Sequence, residues 1–151
     1  MNHPEPARDP VREPHQPIAA YYRTEAERAG FLREIFDSTA TDYDKVERML
    51  ALGTGPWYRR QALKRAGLAP GMQVVDVGFG TGLVAQQAIA IIGDAALLTG
   101  VDPSPAMMGA SPLAQKVKLV EGKAERIPLP DNSADFIGMG YALRHIGDLS
   151  A

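Results

Sequence analysis

Two acids and three glycines in the middle of the chain have the types and spacing for cofactor chemistry. In Val74-Val75-Asp76-Val77-Gly78-Phe79-Gly80-Thr81-Gly82-Leu83-Val84-Ala85, an apolar run passes through a glycine-rich turn into a second apolar stretch. Glycines at every second position let the backbone approach a ligand where a Cβ would collide, and they supply the positive φ of such a turn. A dinucleotide-binding turn spaces its glycines G-x-G-x-x-G and offers helix N-terminal amides to a pyrophosphate. Here the pattern is D-x-G-x-G-x-G, with Asp76 two residues before Gly78. A carboxylate there repels phosphate and suits a cofactor with a positive end, such as the ammonium and sulfonium groups of S-adenosylmethionine. A second apolar run, residues 95–101, ends in Asp102, twenty residues beyond Gly82, where an acid accepts bonds from ribose hydroxyls. Without a ligand the same glycines would make only a tight strand-to-helix turn; the second acid argues against that.

These groups need a scaffold, and the flanking pattern supplies one. After the Pro70-Gly71 turn the chain alternates strand and helix: strands at 73–77, 95–101, 117–121 and 134–140, helices at 83–92 and 105–110, the latter cut off by Ser111-Pro112. Such alternation implies an α/β fold, a parallel sheet with right-handed crossovers, and it brings the ends of strands one, two and four to one crevice. Ahead of it, residues 24–36, 43–52 and 56–66 read as helices. Thr24 and Glu27 form a capping box for the first, while Pro56 in the first turn and Gly67 at the end bound the last. Residues 1–17 carry five prolines among charges and no apolar periodicity, which predicts an extended or disordered tail with His3 and His15 solvated. Three segments follow: a tail over 1–20, helices over 21–69, and a Rossmann-like half-domain over 70–151.

Composition narrows the function classes. With 151 residues and 45% hydrophobic content the chain has enough material for one core. A net charge of −2 gives no electrostatic reason for a nucleic-acid partner, and the lack of cysteine removes disulfides and thiolate metal sites. The polar start and the interrupted apolar runs predict no integral membrane segment and a cytoplasmic location.

At its motifs the chain resembles the class I S-adenosylmethionine-dependent methyltransferases and, more narrowly, the ubiquinone/menaquinone-biosynthesis C-methyltransferases. The likeness runs from about Phe36 to the end. It is carried by Phe36-Asp37-Ser38-Thr39-Ala40 with Tyr43-Asp44, Gly53 to Trp57, Asp76 to Gly82, Val101 to Met108, Glu121 to Pro128, and Ala142-Leu143-Arg144-His145. The resemblance implies a Rossmann-like sheet with helices over the pocket and S-adenosyl-L-methionine as cofactor. By the same resemblance Asp76 and the backbone of Gly78, Gly80 and Gly82 hold the methionine end, with the Thr81 hydroxyl close by. Asp102 binds the ribose, adenine lies near Lys123-Ala124, and Gly140 and Tyr43 complete the pocket. Two residues depart from the family's pattern. Lys123 stands where Asp or Asn is usual and has donors only. Phe79 replaces a small residue and is expected to narrow the methionine pocket.

Methyl transfer is an in-line displacement, so the protein's task is alignment and exclusion of water, with a base only where the nucleophile must lose a proton. Tyr141, Arg144 and His145 follow strand four, where the acceptor would meet the cofactor. His145 could deprotonate a phenol and Arg144 could pair with the anion; a hydrogen-bonded structural role for His145, and core packing for Tyr43 and Trp57, are the plainer alternatives. The resemblance points to a small phenolic or quinol-like methyl acceptor, with C-methylation ahead of O-methylation. A cofactor-binding module without turnover and a nicotinamide-dependent oxidoreductase are the other readings, the second disfavoured by the glycine spacing. In the resembled fold further strands follow the fourth. The chain therefore reads as a C-terminally truncated fragment, or as one whose open strand edge is covered by another chain, which offers a route to homo-oligomers.

Overall fold

The computed structural model describes residues 54–146 continuously and, before them, residues 21, 23, 24, 27, 28, 30–32, 34 and 35. The expected tail over 1–20, the helix over 43–52 and Tyr43 lie outside the described residues, as do the side chains of Tyr141 and Arg144.

Four parallel strands form the sheet among the described residues: β1 (Val74–Val77), β2 (Leu98–Asp102), β3 (Lys118–Glu121) and β4 (Phe136–Met139), in the order β3-β2-β1-β4. Val77 is level with Val101 on one side and Met139 on the other, so the ends of β1, β2 and β4 meet at one edge as the alternation predicts. All four β1 residues are buried, as an apolar strand covered on both faces requires. Val74 joins Leu98, Ala85, Ala88 and Ile92 in the core under α2 (Leu83–Ile92). Val75 and Val77 pack with Val101 on the opposite face, under Ile127 and Leu129 of the loop before β4.

The helices end where their sequences direct. In α1 (Gly55–Arg65), Pro56 sits in the first turn and the buried face is Arg59 and Leu63. In α3 (Pro105–Gly109), the Ser104 hydroxyl accepts from the Met107 amide at 3.1 Å, and the helix stops ahead of Ser111-Pro112. Upstream, the Glu27 amide donates to Thr24 Oγ1 at 3.2 Å as expected. The Glu27 carboxylate accepts from the Arg23 amide, one residue earlier than a capping box would have it.

Two strands differ from expectation. Residues 95–97 form a single 3₁₀ turn instead of opening β2, because Asp94 accepts from the Ala96 amide at 2.9 Å and bends the backbone before Leu98. β4 starts at Phe136, since the amides of Asp135 and Phe136 both donate to the Gln73 carbonyl while Asp135 Oδ2 accepts from the Gln73 amide. At the β4 edge Ile137 is 62% and Met139 37% exposed. Among the described residues no helix is long and apolar enough to cross a membrane.

Candidate functional site

The site is built on the end of β1. Side chains alternate along a strand, so Asp76 shares the face of Val74 and points beneath the start of α2. It is 2% exposed, and neither carboxylate oxygen has a hydrogen-bond partner. Burial pushes its pKa from 3.8 up to about 8; the Ala85 backbone amide in the first turn of α2, close by but short of hydrogen-bond geometry, lowers it in part, and the Asp102 carboxylate raises it further. A buried acid left without partners is costly in a folded protein. A positive group brought next to it would favour its ionised form.

Asp102, at the end of β2, is used differently. Its Oδ2 accepts from the Gly80 amide and its Oδ1 from the Ser104 amide, each at 2.8 Å. One carboxylate thus fixes both the glycine turn and the entry to α3. The turn itself is held on β2, with the amides of Gly78 and Phe79 donating to the Val101 carbonyl at 2.8 and 3.1 Å. Gly78 has φ 70°, and a Cβ there would collide with Ala142 of the segment after β4. Glycine is therefore required by a protein contact as well as by the turn.

A cavity of about 280 Å³ opens over these strand ends. Of the residues expected at the site it brings together Gly78, Lys123, Ala124 and His145. Asp76, Gly80, Thr81, Gly82, Asp102 and Gly140 do not line it. Thr81 is buried, Gly82 backs onto Phe79, Ser111 and Leu113, and Gly140 backs onto Val84 of α2. Lys123 is exposed, and its carbonyl accepts from the Arg126 amide in a short bridge. Tyr141 and Arg144 lie with His145 on one 3₁₀ turn, Tyr141–His145, directly after β4.

Phe79 corrects an expectation. It does not narrow the pocket: it is 3% exposed and joins the core beside Leu98 and Leu113. Gly100 on β2 makes room for its ring, since a Cβ at Gly100 would overlap Phe79 and come within 2.9 Å of Leu119. Sequence reasoning also passed over Ser104, Gly122 and Ile146, which line the cavity, and Gly30 and Leu32, which reach it from the N-terminal helical segment. The Asp102-Pro103-Ser104-Pro105 run held a usable signal, an acid and a cap each followed by a proline.

The donor set fits S-adenosylmethionine better than a phosphate-rich cofactor, because the orphaned Asp76 oxygens favour a cation. Groups of three or more His, Cys, Asp or Glu able to hold a metal are absent among the described residues.

A parallel β3-β2-β1-β4 sheet, with a glycine turn after β1 and an acid near the end of β1 and at the end of β2, is a Rossmann-like arrangement of the class I methyltransferase type. Solved structures agree. A SAM-dependent methyltransferase from Thermotoga maritima is 30% identical, with a TM-score of 0.53 over 70% of this chain and 45% of that one. Another from Aquifex aeolicus is 29% identical, with a TM-score of 0.50 over 56% of this chain and 48% of that one. The chain belongs to the ubiE/COQ5 methyltransferase family, whose pattern matches residues 23–151. Its curated relatives include the ubiquinone/menaquinone biosynthesis C-methyltransferase UbiE of Shewanella halifaxensis, 33% identical over 87% of this chain and 55% of that protein. The demethylmenaquinone methyltransferase of Desulfitobacterium hafniense is 28% identical over 82% of this chain and 51% of that protein. The chain spans about half the length of these relatives.

Proposed function

We propose that this chain binds S-adenosyl-L-methionine and supplies the methyl-donor side of a methyltransferase for a small phenolic or quinol-like acceptor, with methylation at carbon. The observation that carries the reading is Asp76, a buried carboxylate without a partner beneath a glycine turn. The names of the relatives, which concern ubiquinone and menaquinone, support the acceptor class.

When bound, the cofactor supplies a methyl group on a cationic sulfur. The ionised Asp76 would answer the ligand's positive methionine end. Asp102, which accepts from the Gly80 and Ser104 amides, would also accept from ribose hydroxyls, because a carboxylate has more than two acceptor positions. Gly122, Lys123 and Ala124 line the cavity, and the base would lie against them, where the Lys123 side chain adds only donors. His145 lines the same cavity and is half-buried, a suitable place to take a phenolic proton. Arg144, on the same turn, would answer the resulting anion, and Tyr141 would help orient the acceptor. Water exclusion and alignment supply the remainder of the barrier lowering.

Calorimetric titration with S-adenosylhomocysteine and, separately, with NAD tests the reading. Binding of the first and not the second is expected. Binding of NAD alone would replace the methyltransferase assignment with a dehydrogenase one.

A further inference from the structure

We propose that Arg28 is a positioning residue that ties the N-terminal helical segment to the turn carrying His145, and so sets how long a ligand stays in the cavity. Arg28 is only 3% exposed, whereas Glu27 and Gly30 on either side are exposed. Arginine is among the residues least often fully buried, so such a site needs a reason. Its Nη1 donates to the Ile146 carbonyl at 3.3 Å, a contact spanning 118 residues of chain. The Ile146 amide donates in turn to the Leu143 carbonyl at 3.3 Å, so the guanidinium grips the residue that closes the Tyr141–His145 turn. At the other end Arg28 is anchored in its own helical segment, its amide donating to the Thr24 carbonyl at 2.9 Å.

The two segments joined by this bond line one cavity. Gly30 and Leu32 come from one; Ala142, His145 and Ile146 come from the other. A cross-link between the two segments must break or strain for a ligand to leave. Its effect is therefore readable in the dissociation rate. Arg28 does this through the backbone of Ile146 and is not assigned a contact with the reacting atoms.

The test is the dissociation rate of S-adenosylhomocysteine by stopped-flow displacement, and it rests on the methyltransferase reading only for that choice of probe. Arg28→Met keeps the aliphatic stem and removes the donors; dissociation should accelerate about tenfold, the scale of one charged hydrogen bond. Arg28→Lys restores a cationic donor and should return the rate to within about threefold of the parent. An unchanged rate in Arg28→Met, or equal acceleration in both variants, overturns the assignment, because the stem alone would then account for the residue. A second measurement needs neither variant nor ligand. In native-state hydrogen exchange the amides of Arg28 and Ile146 should open together, with one dependence on denaturant, and independent opening overturns the clamp. Failure of S-adenosylhomocysteine to bind at all would count against the methyltransferase reading, and the exchange experiment would still decide the role of Arg28.

Discussion

Cofactor binding should be coupled to proton release from Asp76, and the size of the effect follows from where that carboxylate sits. In the ligand-free protein its pKa is raised to about 8 by burial. At pH 7 the group is therefore mostly protonated, whereas a bound cation favours its ionised form. Below pH 8 the affinity should fall about tenfold for each pH unit, about 1.4 kcal/mol per unit. At pH 7 close to one proton should leave per ligand bound. The sign for folding is the reverse of the usual carboxylate case. The unfolded chain loses this proton above its ordinary 3.8 while the native state keeps it, so ligand-free stability is undiminished below pH 3.8 and declines as pH rises toward 8. At pH 7 the decline amounts to about 4 kcal/mol, so Asp76→Asn should stabilise the ligand-free protein by up to that amount while weakening the bound state. The assay is calorimetry with S-adenosylmethionine from pH 6 to 8 in two buffers of different ionisation enthalpy, on wild type and Asp76→Asn. The ligand's own amine titrates equally in both proteins, so the difference isolates Asp76. A wild-type affinity that is flat with pH, or a slope that survives in Asp76→Asn, would refute the reasoning.

Asp102→Ala removes the acceptor for both the Gly80 and Ser104 amides and should weaken S-adenosylhomocysteine binding by about 1–3 kcal/mol; an unchanged affinity in a folded variant, read by titration, rejects its place in the site. Phe79→Ala should cost about 3–5 kcal/mol of stability in denaturant unfolding, because the ring fills the slot left by Gly100. Its cofactor affinity should stay within a few-fold, and a large selective loss of affinity would return Phe79 to the pocket. The β4 edge, with Ile137 and Met139 exposed and neither charge nor proline in Phe136–Met139, should drive concentration-dependent self-association seen by light scattering. Ile137→Lys should suppress it, and equal scattering by both proteins would place the association elsewhere.

What could be read in the sequence depended on whether the deciding interaction was local. β1 and α2 were legible almost to the residue, because an apolar run followed by a glycine turn and a glycine at position 93 leaves the backbone few alternatives. The strand expected over 95–101 was misjudged at its start, since three apolar residues look alike in a turn and in a strand, and a single bond from Ala96 to Asp94 chose the turn. The acids of the site were identifiable by spacing, yet their different states were not. Asp102 accepts from amides that its own neighbourhood supplies, whereas Asp76 lies under α2 with both oxygens lacking a hydrogen bond. Both carboxylates emerge on the same face of the sheet, so the difference comes from what lies over each: the start of α2 over Asp76, and the Gly80 and Ser104 amides beside Asp102. Phe79 shows the same limit from the other direction. Its position in the turn suggested a ligand contact, but the missing side chain at Gly100, on the neighbouring strand, opens a slot on the core side and draws the ring away from the cavity. A glycine in a strand can thus decide the direction of an aromatic ring in a turn. The turn's own sequence contains no trace of that choice, and only the β1–β2 pairing brings the two positions together.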